Sequence, residues 1–491
     1  MALPSVKHNF LYNLTNTLLK IVFPLIVFPY VSRILQPEGI GRINYAEAFV
    51  SYFVLFSSLG IPIYALREVA KHRTNLNVLR EKIAGVWCIN VFFVIISYLT
   101  LAGLLYFNII DKESHLILIN SSLILFSLLE MEWYFQGTEN YKFITIRNLI
   151  LKTITMFLIF NVVKTKDDVF FYAVLMVLGI GGNSLFNFSY ILKEHGKALL
   201  GLINFGFIRN ALTQHFKTIV ITSTMALAGS IYLSLDVIML GQISTDTQVG
   251  LYSAGIKIIR VLITVVLALS TVLLPRASFH VMNEEMEEFK KLIKLSFDFI
   301  CFLSFPCIAG LFILSKPIIV MFSGDSFLPA HELMQLLAVL MLLVSLNNLL
   351  GMQILFPLGK ERVFLVAIVF GALVNVVSNL ILIPFLAAKG ASISSLLAEG
   401  TIFIVLFWSS RQFFNFNFLI KPLKYILATC VMALVIVQVN SFFNASNSVL
   451  YTLLTIAAGG TTYLIMLLIL KEIDFLKPAL STVLSITKKN E

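Results

Sequence analysis

The sequence predicts an all-α integral membrane protein of about fourteen transmembrane helices. Three observations predict it. The 491 residues are 58% hydrophobic and only 13% charged, with mean hydropathy +0.92, outside the range of soluble globular domains. Apolar runs of roughly 18–25 residues recur from end to end, each long enough to cross a hydrocarbon core. Lysine and arginine concentrate in alternate loops, the pattern of membrane topology.

In chain order the spans read as 10–33, 43–66, 83–107, 115–135, 144–163, 169–192, 218–241, 250–274, 293–315, 332–356, 363–385, 391–410, 423–441 and 449–470. The first is too long for the apolar region of a cleavable leader, and no small-residue cleavage site follows it. An even number of spans puts both termini on one side. Loops on that side, from Lys7 to Lys489, carry roughly 25 lysines and arginines, against roughly 7 on the other, so the termini are expected to be cytoplasmic. The smaller set is Arg33, Arg42, Lys112, Lys164, Lys166, Lys316 and Lys389. The longest polar break divides the chain into a six-span lobe (1–192), a cytoplasmic linker (193–217), a second six-span lobe (218–410) and two extra helices with a tail (411–491). Gly39-Ile40-Gly41-Arg42-Ile43-Asn44 and Gln248-Val249-Gly250-Leu251-Tyr252-Ser253 form a weak echo between the lobes, each reading as a glycine turn before a polar-striped helix. Even-numbered halves give parallel repeats with substrate held between them.

Four cations lie deep inside apolar spans: Lys20, Lys152, Lys257 and Arg260. A cation at mid-bilayer costs roughly 2.5–3.5 kcal/mol, so such a residue faces a cavity, pairs with an acid or meets an anion. The first span places Asn9, Asn13, Asn16 and Lys20 on one helical face, ahead of Pro24 and Pro29. This face lines a cavity or forms a polar helix–helix seam with a snorkelling lysine. The eighth span aligns Ser253, Lys257, Arg260, Thr264 and Thr271. Two cations one turn apart repel unless an anion or acid lies between them, and arginine suits bidentate phosphate recognition. Intraprotein pairing with Asp236 or Glu47 is the alternative. Glu47, sharing a face with Asn44 and Ser51, Asp236, sharing one with Thr218, Thr222 and Gly229, and Glu399, beside Ser392 and Ser395, read as counter-ions or as proton or sodium sites. Glu130, Glu132 and Asp298 read as interfacial, and the partner of Lys152 is not legible.

Other classes find little support. The net charge of +10 lies in topological loops, with no basic soluble face for nucleic acid. Cys88, Cys301, Cys307 and Cys430 lack metal or redox spacing and read as core residues, so no metal site is expected. The seven histidines have no convincing partner. Neither a catalytic constellation nor a P-loop occurs, so no enzyme activity and no cofactor beyond an H+ or Na+ gradient is expected. Glu284 to Lys294 reads as a solvated amphipathic helix.

The stretches Phe28-Pro29-Tyr30-Val31-Ser32-Arg33-Ile34-Leu35, Pro37-Glu38-Gly39-Ile40-Gly41, Arg67-Glu68-Val69-Ala70-Lys71-His72-Arg73, Trp133-Tyr134-Phe135-Gln136-Gly137 and Gly250-Leu251-Tyr252-Ser253-Ala254 resemble Wzx-type polysaccharide flippases over roughly residues 9–410. Gln36 stands where such proteins more usually have glycine. The resemblance implies the multidrug/oligosaccharidyl-lipid/polysaccharide exporter fold, two six-helix lobes around a central cavity with two extra helices. It implies a flippase for O-antigen or other lipopolysaccharide repeat units in the bacterial inner membrane. The substrate would be an undecaprenyl-diphosphate-linked oligosaccharide, moved to the outer leaflet by alternating access. Partners would be the polyprenyl-diphosphate-linked glycan, membrane lipid, and a polysaccharide polymerase with other assembly proteins. The diphosphate would meet Lys20, Lys257, Arg260 and Arg33, with Asn13, Asn16, Asn44, Ser253 and Thr264 lining the cavity. The competing readings are a drug/cation antiporter of the same superfold, which would want an acidic first lobe, and a membrane polymerase or ligase, which would want a large outer loop.

Overall fold

The computed structural model describes residues 6–107, 112–202, 234–413, 416–442, 449–470 and 472, and between 203 and 233 only positions 206, 207, 209, 210, 213, 216 and 219. Among the described residues the fold is helical and contains no strand. Twelve helical stretches are long and apolar enough to cross a bilayer. The first, Leu11–His72, has 62 residues, about 90 Å at 1.5 Å per residue, and makes two crossings. The short apolar helix Ser234–Ile243 is the described part of the expected seventh span; Thr218, Thr222 and Gly229 lie outside the described residues. Every expected span therefore has a helix in its place, the seventh only from Ser234 onward.

Packing divides the chain into two units, Met1–Gly250 and Leu251–Glu491. The first contains α1 (Val6–Ser58), α2 (Ile61–His72), α3 (Leu76–Tyr106), α4 (Ser114–Leu129), α5 (Glu132–Gly137), α6 (Tyr141–Val162) and α7 (Val169–Leu202), then α8 (Ser234–Ile243). Helix α7 continues through the first ten residues of the expected linker; positions 203–205 and most of 208–217 lie outside the described residues. Helix α1 packs on α3, α4 and α6, and α4 on α7. Ile83, Ile89 and Phe135, all fully buried, anchor this unit's core.

The unit boundary falls inside α9 (Asp246–Met282). The second unit continues with α10 (Met286–Ile313), α11 (Ser315–Ser323), α12 (Ala330–Ala338), α13 (Leu340–Asn348), a π-helix (Leu349–Leu355), α14 (Glu361–Leu386), α15 (Ala388–Ser410), α16 (Phe416–Phe442) and α17 (Val449–Ile469). Its core centres on Phe289, Leu349, Ile354 and Leu406. Helices α14 and α15 pair closely because a Cβ on Gly390 would lie 2.5 Å from the Leu382 carbonyl oxygen, a clash that glycine avoids. The charge run at the start of α10 is solvated as expected, with exposed i,i+3 pairs Glu287–Lys290 at 2.8 Å and Glu288–Lys291 at 2.5 Å.

The non-helical break in α1 falls at Gln36, with φ 60° and ψ 174°, while Pro24 and Pro29 stay within helical geometry. Pro37 disfavours the helical conformation at the residue before it. It also lacks the N–H that the Arg33 carbonyl would accept from; Gln36 Nε2 donates to that oxygen instead, at 2.7 Å. This backbone region suits glycine and costs other residues on the order of 1–3 kcal/mol, which accounts for the glycine more usual at this position.

The echo glycines are likewise not turn residues. Gly41 lies in the second half of α1 and Gly250 in the second turn of α9. A Cβ on Gly41 would sit 1.7 Å from the Asp246 carbonyl oxygen, and one on Gly250 would sit 1.9 Å from the Pro37 carbonyl oxygen. The two motifs meet each other, and each glycine makes room for the other helix's backbone. Lys112 reinforces the same end, 3.0 Å from the Asp246 carboxylate, while Arg42 grips Glu113 with two bonds of 2.6 and 3.0 Å.

Candidate substrate-binding site

The first unit builds its polar interior around α6. Arg147 is buried and donates to Glu132 Oε2 at 2.8 Å, to Asn183 Oδ1 at 3.1 Å and to Asn187. Its neighbour Asn148 donates to Asn16 Oδ1 on α1 at 2.7 Å. A buried cation is tolerated when paired and fully hydrogen-bonded, and the three asparagines and one glutamate supply those bonds. The sequence counts Arg147 among the basic residues at the cytoplasmic span ends; the structure buries it six residues into the helix, about 9 Å from its start, against Glu132 at the start of α5. Asn183 and Asn187, spaced one turn apart in an apolar helix, were the available signal.

The polar stripe of α1 divides between its two readings. Asn16 is a buried seam residue, whereas Asn13 and Lys20 are exposed. Among the described residues the Lys20 ammonium makes no ion pair, and it lies within electrostatic reach of Lys152 and Glu130. Lys152 donates to the Leu19 carbonyl at 3.1 Å and sits 5.4 Å over the Phe23 ring, contacts the sequence did not show. Glu130 stands in the gap between α4 and α5, with φ −77° and ψ 89°. Two lysines and a carboxylate thus lie within electrostatic reach of one another in this unit.

Arg33 does not join them. It lies thirteen residues beyond Lys20 on a continuous helix, about 20 Å away, and its guanidinium donates to the Pro29 carbonyl at 2.5 Å. Asn44 is half-buried and Glu47 exposed. Asp236 is buried on α8, within electrostatic reach of Tyr52 on α1. The same helices also meet where Ser51 donates to Ser234 at 3.5 Å.

In the second unit the α9 stripe runs from buried to open. Ser253 is buried, Lys257 half-buried, and Arg260 and Thr264 exposed. The Thr264 hydroxyl returns to the Arg260 carbonyl at 2.8 Å. Lys257 and Arg260, one turn apart, share a helix face. Behind them lie seams of hydroxyls and amides. Tyr252 OH pairs with Ser395 Oγ at 3.1 Å, Ser270 Oγ donates to Asn348 at 2.5 Å, and Ser296 Oγ donates to Gln353 at 2.6 Å. Glu399 is buried and accepts from Asn347 Nδ2 at 2.6 Å. Asp298, expected at an interface, is buried within α10.

One histidine has the partners that the sequence did not reveal. Buried His195 on α7 meets Tyr134 OH at 2.9 Å and Arg80 Nε at 3.4 Å. Tyr134 also donates to Glu194 at 3.1 Å. This knot ties α3, α5 and α7 together at one end of the unit. Outside the spans, Asp168 accepts from the Lys164 and Thr165 amides at 2.8 and 2.7 Å, which holds its carboxyl below the usual carboxylate range.

The polysaccharide biosynthesis protein family model matches residues 6–279, and that of the lipid II flippase MurJ matches residues 148–458. The "Putative O-antigen transporter" of Escherichia coli (strain K12) is 24% identical over 407 residues, covering 80% of this chain and 94% of that protein. Its namesake from Shigella dysenteriae is 24% identical over 397 residues, covering 79% and 94%. Among solved structures, a lipid II flippase MurJ in an inward closed conformation superposes with TM-score 0.71 at 15% identity, covering 96% of this chain and all of that one. An inward-facing multidrug resistance MATE transporter of the MOP superfamily superposes with TM-score 0.58 at 12% identity, covering 80% and 94%. At these identities the superpositions establish the fold alone, and the family assignment rests on the matched sequence. The chain belongs to the polysaccharide biosynthesis protein family, a family of lipid-linked polysaccharide flippases and transporters, and is a multi-pass membrane protein.

Proposed function

We propose that the protein is a flippase that carries an undecaprenyl-diphosphate-linked oligosaccharide from the cytoplasmic to the outer leaflet by alternating access, driven by an H+ or Na+ gradient. The observation that carries the reading is the contrast between Arg147, whose charge is neutralised within the first unit, and Lys20, whose accessible charge is not. A cation kept in an apolar span without an ion partner gains most when an anion binds, and that differential stabilisation is what couples a ligand to a conformational state. Lys257 and Arg260 add cationic character in the second unit, and arginine suits a diphosphate through its planar fork. The basic-loop asymmetry supports cytoplasmic termini.

Deletion of the gene tests the reading. A lipid-diphosphate-linked oligosaccharide should accumulate on the cytoplasmic face, and an undisturbed lipid-linked glycan pool would refute the proposal. Transport in vesicles that ignores both proton and sodium gradients would remove the ion from the mechanism. Orientation is read by impermeant thiol labelling of intact cells: a cysteine at exposed Thr247 should react, and cysteines at exposed Thr74 and Asn283 should not. The opposite pattern would invert the direction of transport. These positions avoid Asn75, which caps α3, and Glu285, which pairs with His280.

A further inference from the structure

A groove of about 440 Å³ opens along α6 and α7. Its walls are Phe143, Ile146, Ile150 and Phe186, and the last three are 44%, 52% and 55% exposed. It therefore faces outward from the unit's own core, into the layer that the spans imply is lipid. Apolar exposure alone is ordinary on such a surface. This groove differs in having a defined charged end. Lys142, exposed in the first turn of α6, stands at its head, and among the described residues its ammonium makes no ion pair. Arg147 lies behind the wall with its charge committed to Glu132. The positive N-terminus of α6 points to the same end. From Lys142 to Leu151 the groove follows nine helical residues, about 14 Å, on the scale of an acyl chain.

We propose that this groove is a binding site for an anionic phospholipid of the surrounding leaflet, its phosphate on Lys142 and one acyl chain along Phe143, Ile146, Ile150 and Phe186. Charge complementarity selects the headgroup: basic pockets between transmembrane helices recognise anionic headgroups at the interface. The position of Lys142 at the first turn of the span, rather than at its middle, fits a lipid resident in one leaflet. It does not fit the diphosphate of a substrate that must cross.

The test titrates delipidated protein in neutral detergent with phosphatidylglycerol or with phosphatidylcholine of the same acyl chains, following the unfolding temperature. Phosphatidylglycerol should stabilise the wild type more than phosphatidylcholine does. Lys142→Gln should at least halve that difference, Lys142→Arg should restore it, and Lys316→Gln, at an exposed lysine outside the groove, should leave it unchanged. Ile150→Trp, which fills the groove without touching charge, should reduce the response to both lipids. An equal response to the two lipids, or a phosphatidylglycerol response undiminished in both Lys142→Gln and Ile150→Trp, would overturn the site. So would stabilisation by a polyprenyl diphosphate with none by phosphatidylglycerol, which would assign the groove to the substrate's tail instead.

Discussion

In the first unit the buried polar groups gather around an arginine; in the second they are mostly serines and amides, with the carboxylates of Glu399 and Asp298 also buried. The difference sets what each seam costs to break. Arg147 is balanced by Glu132, Asn148, Asn183 and Asn187, so removing it strands a carboxylate and leaves asparagines unsatisfied. Removing Ser296 leaves one amide oxygen short of a donor. Within membranes such neutral bonds are worth on average about 0.6 kcal/mol, whereas breaking a buried ion pair costs on the order of 3–5 kcal/mol.

The largest expected effect is therefore at Arg147. Arg147→Leu should destabilise the purified protein by about 3 kcal/mol, at the low end of that range because Glu132 keeps some solvent access. Ser296→Ala should cost less than about 1 kcal/mol. Thermal or denaturant unfolding of the two variants side by side checks the contrast, and equal losses would mean that the charged and neutral seams are energetically alike. Pairing Arg147→Leu with Glu132→Leu sharpens it. The double variant should recover part of the loss, since no charge is then left buried alone.

A smaller effect of opposite sign is expected at Gln36. Gln36→Gly relieves a φ of 60° but gives up the bond to the Arg33 carbonyl. The net change should be a gain of about 1 kcal/mol, because the strain relieved exceeds one neutral hydrogen bond. A loss of stability on the same unfolding assay would show that the side-chain bond outweighs the strain.

Gln36 also shows how far the sequence could be read. Span number and span position were legible because the bilayer fixes helix length and excludes charge, so hydropathy alone locates the helices. The sequence marked Gln36 as unusual but could not say that the bend falls there, since two earlier prolines offered equally plausible breaks. The echo of Gly41 and Gly250 was visible. Its meaning was not, because a close crossing between distant segments leaves no periodic trace. Lys20 could be picked out as a cation deep in a span. The burial of Arg147 was not legible, because a charge near a helix end looks the same whether it faces water or a ring of asparagines. Partners such as Asn347 for Glu399 come from other helices, and one sequence does not pair them.

The proposed function assigns Lys20, Lys257 and Arg260 to the substrate and Arg147 to the fold. The most direct measurement is complementation of a deletion strain alongside folded yield for Lys20→Gln, Lys257→Gln, Arg260→Gln, their triple combination, and Arg147→Leu. The triple variant should reach the membrane folded at wild-type level and fail to restore glycan export, with Arg260→Lys partly active because charge stays while bidentate geometry is lost. Arg147→Leu should lose folded protein and export together. Full complementation by the triple variant, or loss of folding in all three single lysine and arginine variants, would overturn the assignment.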